Sequence, residues 1–209
     1  MGVSINPEKI ERDVIVVGAS AGGIRAVIEI LSRLPADLPA FIGVVIHRGA
    51  RATSDWSDLL GKKAKLRVVE PTDGDSLTRG LVYVAPADYH MRFERDSIAL
   101  DRGAKEHHTR PAANPLFTSA ALAYGPRVVG VVLTGAGHDG MQGLRDIATA
   151  GGLSLAQKPS EAEHASMPEY AIAHDHVCAA LTLYAIGDAL VLLARGGTVS
   201  VGVTEVSRT

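Results

Sequence analysis

The fold of this chain is decided near its start by the stretch Val14-Ile15-Val16-Val17-Gly18-Ala19-Ser20-Ala21-Gly22-Gly23. Four apolar residues predict a buried strand, and the glycines predict a tight turn into the helical pattern that follows. A serine at such a turn lifts its hydroxyl above the end of a sheet, where backbone N–H groups face the atom that it attacks. Ser20 is therefore a candidate nucleophile. The alternative is a Gly-rich turn that only packs strand on helix, or that cradles a phosphate.

Apolar strands alternate with helical patterns along the rest of the chain. A helix that stops at Pro35 precedes a strand over residues 41–46, and this unit predicts a right-handed parallel crossover. Three short apolar segments, residues 81–84, 91–93 and 98–100, predict antiparallel strands joined by turns. The other predicted strands cover residues 66–69, 128–133, 153–156 and 176–181, and the other predicted helices cover residues 54–64, 114–124, 140–150, a stretch after Ser160, and 182–194.

These patterns predict an α/β fold with a single doubly wound, mostly parallel sheet, helices on both faces and an inserted antiparallel β-hairpin. We expect one catalytic domain over residues 13–195. An N-terminal extension, residues 1–12, precedes it, and a C-terminal tail, residues 196–209, follows it.

The composition is that of an ordinary globular protein, with 46% hydrophobic and 21% charged residues. A formal net charge of -2 gives no reason to expect nucleic acid as a partner. The first residues lack the features of a signal peptide, and no run of about 18 apolar residues predicts membrane insertion. We therefore expect a cytoplasmic protein. Its single cysteine, Cys178, has no internal disulfide partner and falls in a predicted buried strand.

Three polar residues follow the ends of predicted parallel strands: Ser20, His47 and Asp139. Because the carboxyl ends of such strands share one edge, these side chains are expected to converge there. Each has an ordinary explanation by itself, since His47 fits a loop histidine and Asp139 fits a helix N-cap. Together they supply a nucleophile, a general base and a carboxylate that orients the base.

The chain order Ser-His-Asp, with serine on the first strand, resembles the catalytic domain of the CheB-type chemotaxis receptor methylesterases, which are protein-glutamate methylesterases. The resemblance covers nearly the whole chain. It is carried by residues 16–23, by His47 closing the second strand, by residues 83–91, by Arg110-Pro111 with Leu116-Phe117, by residues 131–140, and by Met167-Pro168.

This resemblance implies a Ser20, His47 and Asp139 triad that hydrolyses γ-glutamyl methyl esters on methyl-accepting chemoreceptor cytoplasmic helices, releases methanol, and can deamidate glutamine there. The expected acyl-transfer chemistry needs no metal and no cofactor. Since the first strand begins near residue 13, we expect no receiver domain ahead of it, and therefore either constitutive low activity or a separate regulatory protein. The candidates for the oxyanion site and the substrate rim are Ala21, Gly22, Gly23, Arg110, Ala136, Gly137 and Met167.

The chain departs from the family pattern at four positions near these motifs. Ala21, Asn114, Ala136 and His138 stand where the family usually has threonine, aspartate, methionine and asparagine. Residues 48–53 also lack the usual Met-Pro-Pro-like run. The alternatives are therefore a triad hydrolase acting on another ester or amide, and a noncatalytic module that uses the Gly-rich turn to bind a nucleotide or a partner helix.

The remaining histidines are given no role in the chemistry. Adjacent residues on extended backbone point to opposite sides, so His107 and His108 are not expected to share a metal. His164, His174 and His176 are expected at the surface or at helix ends.

Overall fold

A computed structural model of the chain describes residues 10–49, 56–174 and 177–199. Most of the predicted extension and part of the predicted tail lie outside these ranges. His176 and residues 50–55, which include the start of the predicted helix 54–64, also lie outside them.

Seven strands form one parallel sheet in the order β3-β4-β2-β1-β7-β8-β9. Strand β1 is central, and Val14 pairs with Phe41 of β2 on one side and with Val128 of β7 on the other. The sheet strands are β1 Val14–Ala19, β2 Phe41–Ile46, β3 Arg67–Val69, β4 Leu81–Val84, β7 Val128–Val132, β8 Leu153–Gln157 and β9 Ala179–Leu181, while β5 His90–Phe93 and β6 Ile98–Asp101 form a separate antiparallel hairpin.

Helices cover both faces of the sheet and create two hydrophobic cores. Helices α1, α2 and α6 bury side chains such as Ile30, Leu60 and Leu190 against one face. Helices α3, α4 and α5 and the hairpin cover the other face. The predicted doubly wound α/β fold is confirmed. The helices are α1 Gly23–Arg33, α2 Trp56–Gly61, α3 Ala113–Tyr124, α4 Met141–Thr149, α5 Ser166–His174 and α6 Leu183–Ala194, with single 3₁₀ turns at Gly125–Arg127 and Pro159–Glu161.

The hairpin packs directly onto β2, where Gly43 leaves room for it. A methyl group at Gly43 would lie 2.6 Å from a ring atom of Phe93 and 3.0 Å from Leu116. Phe93 also makes an edge contact with Phe41, with ring centroids 5.5 Å apart. The missing side chain at Gly43 therefore lets the hairpin close over the sheet.

The prediction for residues 81–84 was wrong in its pairing. These residues form β4, which lies between β2 and β3 in the parallel sheet, with Val82 opposite both Ile42 and Val68. The hairpin consists of β5 and β6 alone. A four-residue apolar run does not indicate which strand it pairs with or in which direction, and these became known only from the folded sheet.

The expected burial of Cys178 was also wrong. The residue is only half-buried and precedes β9, a three-residue strand at the edge of the sheet. Its backbone N–H donates to the carbonyl of Ser154.

Among the described residues, no helix is long and apolar enough to cross a bilayer.

A buried carboxylate anchors the start of β1. The side chain of Asp13 is 1% exposed and accepts hydrogen bonds from Arg79 Nη2 and, at 2.7 and 2.8 Å, from Arg127 Nε and Nη2. Burial by itself raises the pKa of Asp13, but the hydrogen bonds from Arg127 and Arg79 outweigh it and lower the pKa. The two arginines belong to the segments that lead into β4 and β7, so this cluster links the starts of β1, β4 and β7.

We predict that Asp13→Ala lowers the free energy of unfolding at pH 7 by about 2 kcal/mol, below the full cost of breaking a buried pair because both arginines remain partly hydrated. The pKa of Asp13 is lower in the folded protein than in the unfolded chain, so its charge stabilises the fold at pH values above the unfolded pKa. This stabilisation is lost as the pH falls, and the difference in free energy of unfolding between wild type and Asp13→Ala should therefore shrink from about pH 5 to about pH 2. Urea unfolding measures both. Asp37→Ala, which breaks an exposed pair with Arg195, is the control and should cost less than about 1 kcal/mol. An equal deficit at every pH would contradict this account.

Candidate active site

Ser20 lies where the sequence predicts, in the turn between β1 and α1. Its N–H donates to the carbonyl of Thr134 at 3.0 Å, and the N–H of Gly23 donates to the carbonyl of Ser20 at 2.9 Å. Gly22 adopts a left-handed conformation, with φ of 75°, and α1 begins immediately after it. Because a side chain is strained at such a φ, glycine at position 22 is what permits the sharp turn.

His47 follows β2 directly and is therefore a neighbour of Ser20. Ala19 and Ile46 are paired across the two strands, and the N–H of His47 continues the ladder to the carbonyl of Ala19 at 3.0 Å. Adjacent strands are about 4.8 Å apart, so the serine and the histidine begin side by side. Within the described residues the Ser20 hydroxyl makes no hydrogen bond. For catalysis, the distance between the Ser20 hydroxyl and the His47 ring has to shorten to a hydrogen bond when substrate binds.

Asp139 completes the group from the loop after β7. Its side chain is 1% exposed, and its Oδ2 lies 2.7 Å from Nε2 of His47. Three backbone N–H groups also donate to this carboxylate, from Ala113 at 2.5 Å, Asn114 at 3.1 Å and Gly140 at 2.8 Å. The structure thus brings the candidate base and the candidate orienting carboxylate into direct contact.

Asp139 does not cap the helix that follows it, but it does accept hydrogen bonds from the start of another helix, α3. Helix α4, which follows Asp139, has Gly140 as its N-cap, with φ of 92°. Helix α3 begins after Ala112, which supplies no side-chain acceptor. The Asp139 carboxylate instead accepts from the first two N–H groups of α3 and satisfies donors that would otherwise lack partners.

These contacts determine the charge of Asp139. Burial by itself raises the pKa of the carboxyl, but hydrogen bonds from His47, Ala113 and Asn114 outweigh it, and the pKa lies below its usual value. The residue is therefore ionised near neutral pH. A carboxylate only accepts, so it selects the His47 tautomer with the proton on Nε2 and leaves Nδ1 as the basic nitrogen.

The loop between β7 and Asp139 packs tightly on the serine turn. A methyl group at Gly135 would lie 2.8 Å from Ser20 Cβ and 2.7 Å from the sulfur of Met167. The Thr134 hydroxyl donates to the carbonyl of Ala21 at 3.1 Å, and the Thr134 N–H donates to buried Gln157 at 2.8 Å. The loop therefore holds the nucleophile turn from one side.

Only some of the predicted oxyanion donors are free. Gly23 is not, because its N–H closes the turn to Ser20. The N–H groups of Ala21 and Gly22 have no acceptor within the described residues. Ala136 and Gly137 are exposed on the facing loop. The donors compatible with an oxyanion beside Ser20 are therefore Ala21 and Gly22, with the exposed loop opposite.

Two of the predicted rim residues, Met167 and Arg110, already have partners within the protein. Met167 is fully buried beneath the site, where it packs against Gly18 and Gly135. Arg110 donates to Asp88 at 2.7 Å and to the carbonyls of Arg102 and Gly103, so its guanidinium is already engaged. Met167 therefore packs under the serine turn and Arg110 closes a loop, and a role of either residue in binding substrate stays a prediction.

The histidine pair is also arranged differently from the prediction. His107 and His108 lie in a tight turn with φ of 48° and 64°, closed by hydrogen bonds between Glu106 and Thr109, and not on extended backbone. The ring of His107 contacts exposed His138, with ring centroids 4.4 Å apart. His164 and His174 are exposed, as expected, and His174 ends α5.

Sequence reasoning missed a large cleft that opens beside Ser20 and His47. Its volume is about 690 Å³. Its walls come from α1, from the end of β2 and from α2, which meet only in the folded molecule. The other lining residues are apolar Ile24, Ile28, Ile46, Trp56 and Leu59, the glycines Gly22 and Gly23, and basic Arg25, Lys62 and Lys63.

Comparison with known proteins places this arrangement in a family. Residues 15–190 match the family model described as CheB methylesterase. The chain belongs to the CheB methylesterase family. The crystal structure of the Thermotoga maritima CheB methylesterase catalytic domain superposes with a TM-score of 0.83, at 31% identity, over 86% of this chain and 97% of that one. The family assignment thus agrees with the fold.

Two relatives show how the chain compares in length. A Methanosarcina mazei protein-glutamate methylesterase/protein-glutamine glutaminase 2 is 36% identical over 192 residues, which cover 88% of this chain and 52% of that protein. A Leptospira interrogans protein that carries the same two activities in its name is 38% identical over 182 residues, which cover 87% of this chain and 94% of that protein. The chain therefore spans about half of one CheB methylesterase relative and nearly all of another.

We predict that Asp139→Asn lowers kcat for ester hydrolysis by up to about 10⁴-fold, because an amide no longer holds the His47 tautomer. The melting temperature should fall as well, since α3 loses a charged acceptor. Steady-state kinetics and thermal unfolding measure the two effects. His138→Ala, at the exposed neighbouring position, is the control and should alter kcat only slightly. A lower melting temperature with an unchanged kcat would restrict Asp139 to supporting α3.

Proposed function

We propose that this protein is a carboxylic ester hydrolase that cleaves γ-glutamyl methyl esters of a methylated protein and releases methanol. The observation that carries the proposal is the buried 2.7 Å contact between His47 and Asp139 beside the exposed nucleophile turn of Ser20. The names of the relatives, protein-glutamate methylesterase/protein-glutamine glutaminase, support the choice of ester.

The first half of the reaction forms an acyl-enzyme. Nδ1 of His47 takes the proton of the Ser20 hydroxyl while Oγ bonds to the ester carbonyl carbon. The negative charge that develops on the carbonyl oxygen lies toward the free N–H groups of Ala21 and Gly22. When the tetrahedral intermediate collapses, the C–O bond to the methoxy group breaks, and His47 gives its proton to the methoxy oxygen, which leaves as methanol.

The second half restores the enzyme. His47 takes a proton from water, whose oxygen attacks the acyl carbon, and the bond to Ser20 Oγ breaks as the proton returns to the serine. The product is a glutamate carboxylate. Throughout both halves Asp139 stays ionised and holds the imidazolium that forms, consistent with its lowered pKa.

The same three residues, Ser20, His47 and Asp139, can also act on an amide substrate. With glutamine, His47 gives its proton to the amide nitrogen as the C–N bond breaks, ammonia leaves, and the product is again glutamate. The substrate we propose is a methylated helix of a chemoreceptor cytoplasmic region, the partner that the family resemblance implies. Its esterified side chain reaches Ser20 from the cleft between α1 and α2.

The test of this function is methanol release from a methylated chemoreceptor fragment. Ser20→Ala should reduce turnover by on the order of 10⁶, which removes measurable activity, because no other group can form the acyl-enzyme. The melting temperature should be unchanged, since the Ser20 hydroxyl has no hydrogen bond among the described residues. Ser32→Ala, on α1, is the matched control and should keep activity.

Labelling by a fluorophosphonate probe separates an enzyme from a binding module. We expect one modified residue, Ser20, and its loss in Ser20→Ala. Full methanol release by Ser20→Ala, or an unlabelled Ser20 in the wild-type protein, would overturn the mechanism.

A further inference from the structure

We propose that the cleft between α1 and α2 is a docking groove for an acidic, amphipathic helix of the substrate protein, and that Arg25, Lys62 and Lys63 select substrates with carboxylates next to the esterified glutamate. This inference rests on the proposed function, because it assigns the substrate of that same site.

The apolar wall of the cleft fits one face of a helix. Ile24 and Ile28 lie one turn apart on α1, and Trp56 and Leu59 lie one turn apart on α2. All four are only half-buried in the protein. A helix that docks in a groove buries apolar anchors spaced three or four residues apart, and these four half-buried side chains offer an apolar surface for such anchors.

The rim of the cleft is positively charged. Arg25, Lys62 and Lys63 are exposed, and none of them forms an ion pair within the part of the chain that the structure describes. Other arginines are paired, for example Arg33 with Asp188 at 2.9 Å. Unpaired cations around a low-dielectric groove focus their field on a ligand, so the groove favours anionic partners.

The adjacent face of α1 has the opposite charge. A second hollow, about 500 Å³ in volume, is lined by Glu29, Glu161 and Glu163 and shares Arg25 and Gly22 with the cleft. Arg25 therefore stands on the ridge between a basic groove and an acidic hollow. An acidic helix is attracted to one side of this ridge and repelled from the other, which gives it a single place beside Ser20.

The wall of the groove is held in position before any ligand binds. The Arg48 guanidinium lies 4.8 Å from the centre of the Trp56 ring. Its side chain is 2% exposed and donates to Glu70 at 2.9 Å and to the carbonyl of Ala85 at 2.8 Å. Arg48 thus links α2 to β3 and to the end of β4, and a preformed groove reduces the entropic cost of docking.

A purely structural role of the two lysines makes a different prediction. Lys62 and Lys63 directly follow α2, where cations interact favourably with the helix dipole. That role changes stability alone. It does not make the rate depend on charges in the substrate, so substrate selectivity separates the two explanations.

The experiment compares two synthetic helical peptides, each with one γ-methyl glutamate, flanked one turn away either by glutamates or by glutamines. We compare kcat/KM for the Glu-flanked peptide with kcat/KM for the Gln-flanked peptide. At low ionic strength, this ratio should be about tenfold lower in Lys62→Glu/Lys63→Glu than in the wild-type protein, and the change should come from KM and not from kcat. At about 1 M salt the difference should nearly vanish, because the charges are screened within 3 Å. Lys65→Glu, exposed but outside the cleft, is the matched control and should keep the wild-type ratio.

Binding to Ser20→Ala, followed by fluorescence anisotropy of labelled peptides, keeps docking separate from chemistry. Charge-dependent binding with no hydrolysis by the wild-type protein would support the groove and overturn the proposed function. Hydrolysis with the same selectivity in Lys62→Glu/Lys63→Glu and Lys65→Glu would overturn the groove and leave the proposed function intact. Unchanged selectivity with a lower melting temperature would reduce the two lysines to supports of α2.

Discussion

The buried carboxylate of Asp139 is the contact on which the site depends. It joins the loop after β7 to His47 at the end of β2 and to the first N–H groups of α3. A neutral side chain at this place leaves donors of α3 poorly satisfied, and an isolated carboxylate there is costly to bury. The four donors around Asp139 make its charge tolerable, so one residue supports both the helix packing and the chemistry.

The order of the strands explains why the site lies where it does. Strand β1 is central, with β2 on one side and β7 on the other, so the chain leaves the middle of the sheet in both directions. In open α/β sheets, this reversal creates a crevice beyond the carboxyl ends of the strands. Ser20 lies at that point, beside an apolar groove with a basic rim, and an acidic hollow lies along the adjacent face of α1.

The departures from the family pattern fall mainly where the backbone makes the contacts. Ala21 accepts from Thr134 through its carbonyl, and Ala136 is exposed on the loop. Asn114 keeps two contacts, since its N–H donates to Asp139 and its Oδ1 accepts from Gly143 at 3.0 Å. His138 faces His107 and Tyr170 on the surface. These substitutions therefore leave the His47 and Asp139 geometry in place.

Features that depend on neighbouring residues in the chain could be predicted from the sequence. Apolar runs predicted the parallel strands, glycines predicted the turn at Ser20, and positions just beyond strand ends identified Ser20, His47 and Asp139 as the residues to examine. Features that depend on residues far apart in the chain were visible only in the folded molecule. They are the place of β4 in the sheet, the burial of Met167, the ion pair between Arg110 and Asp88, and the groove between α1 and α2. Local patterns record which face of an element is buried, whereas partners and cavities arise only when separate elements pack against one another.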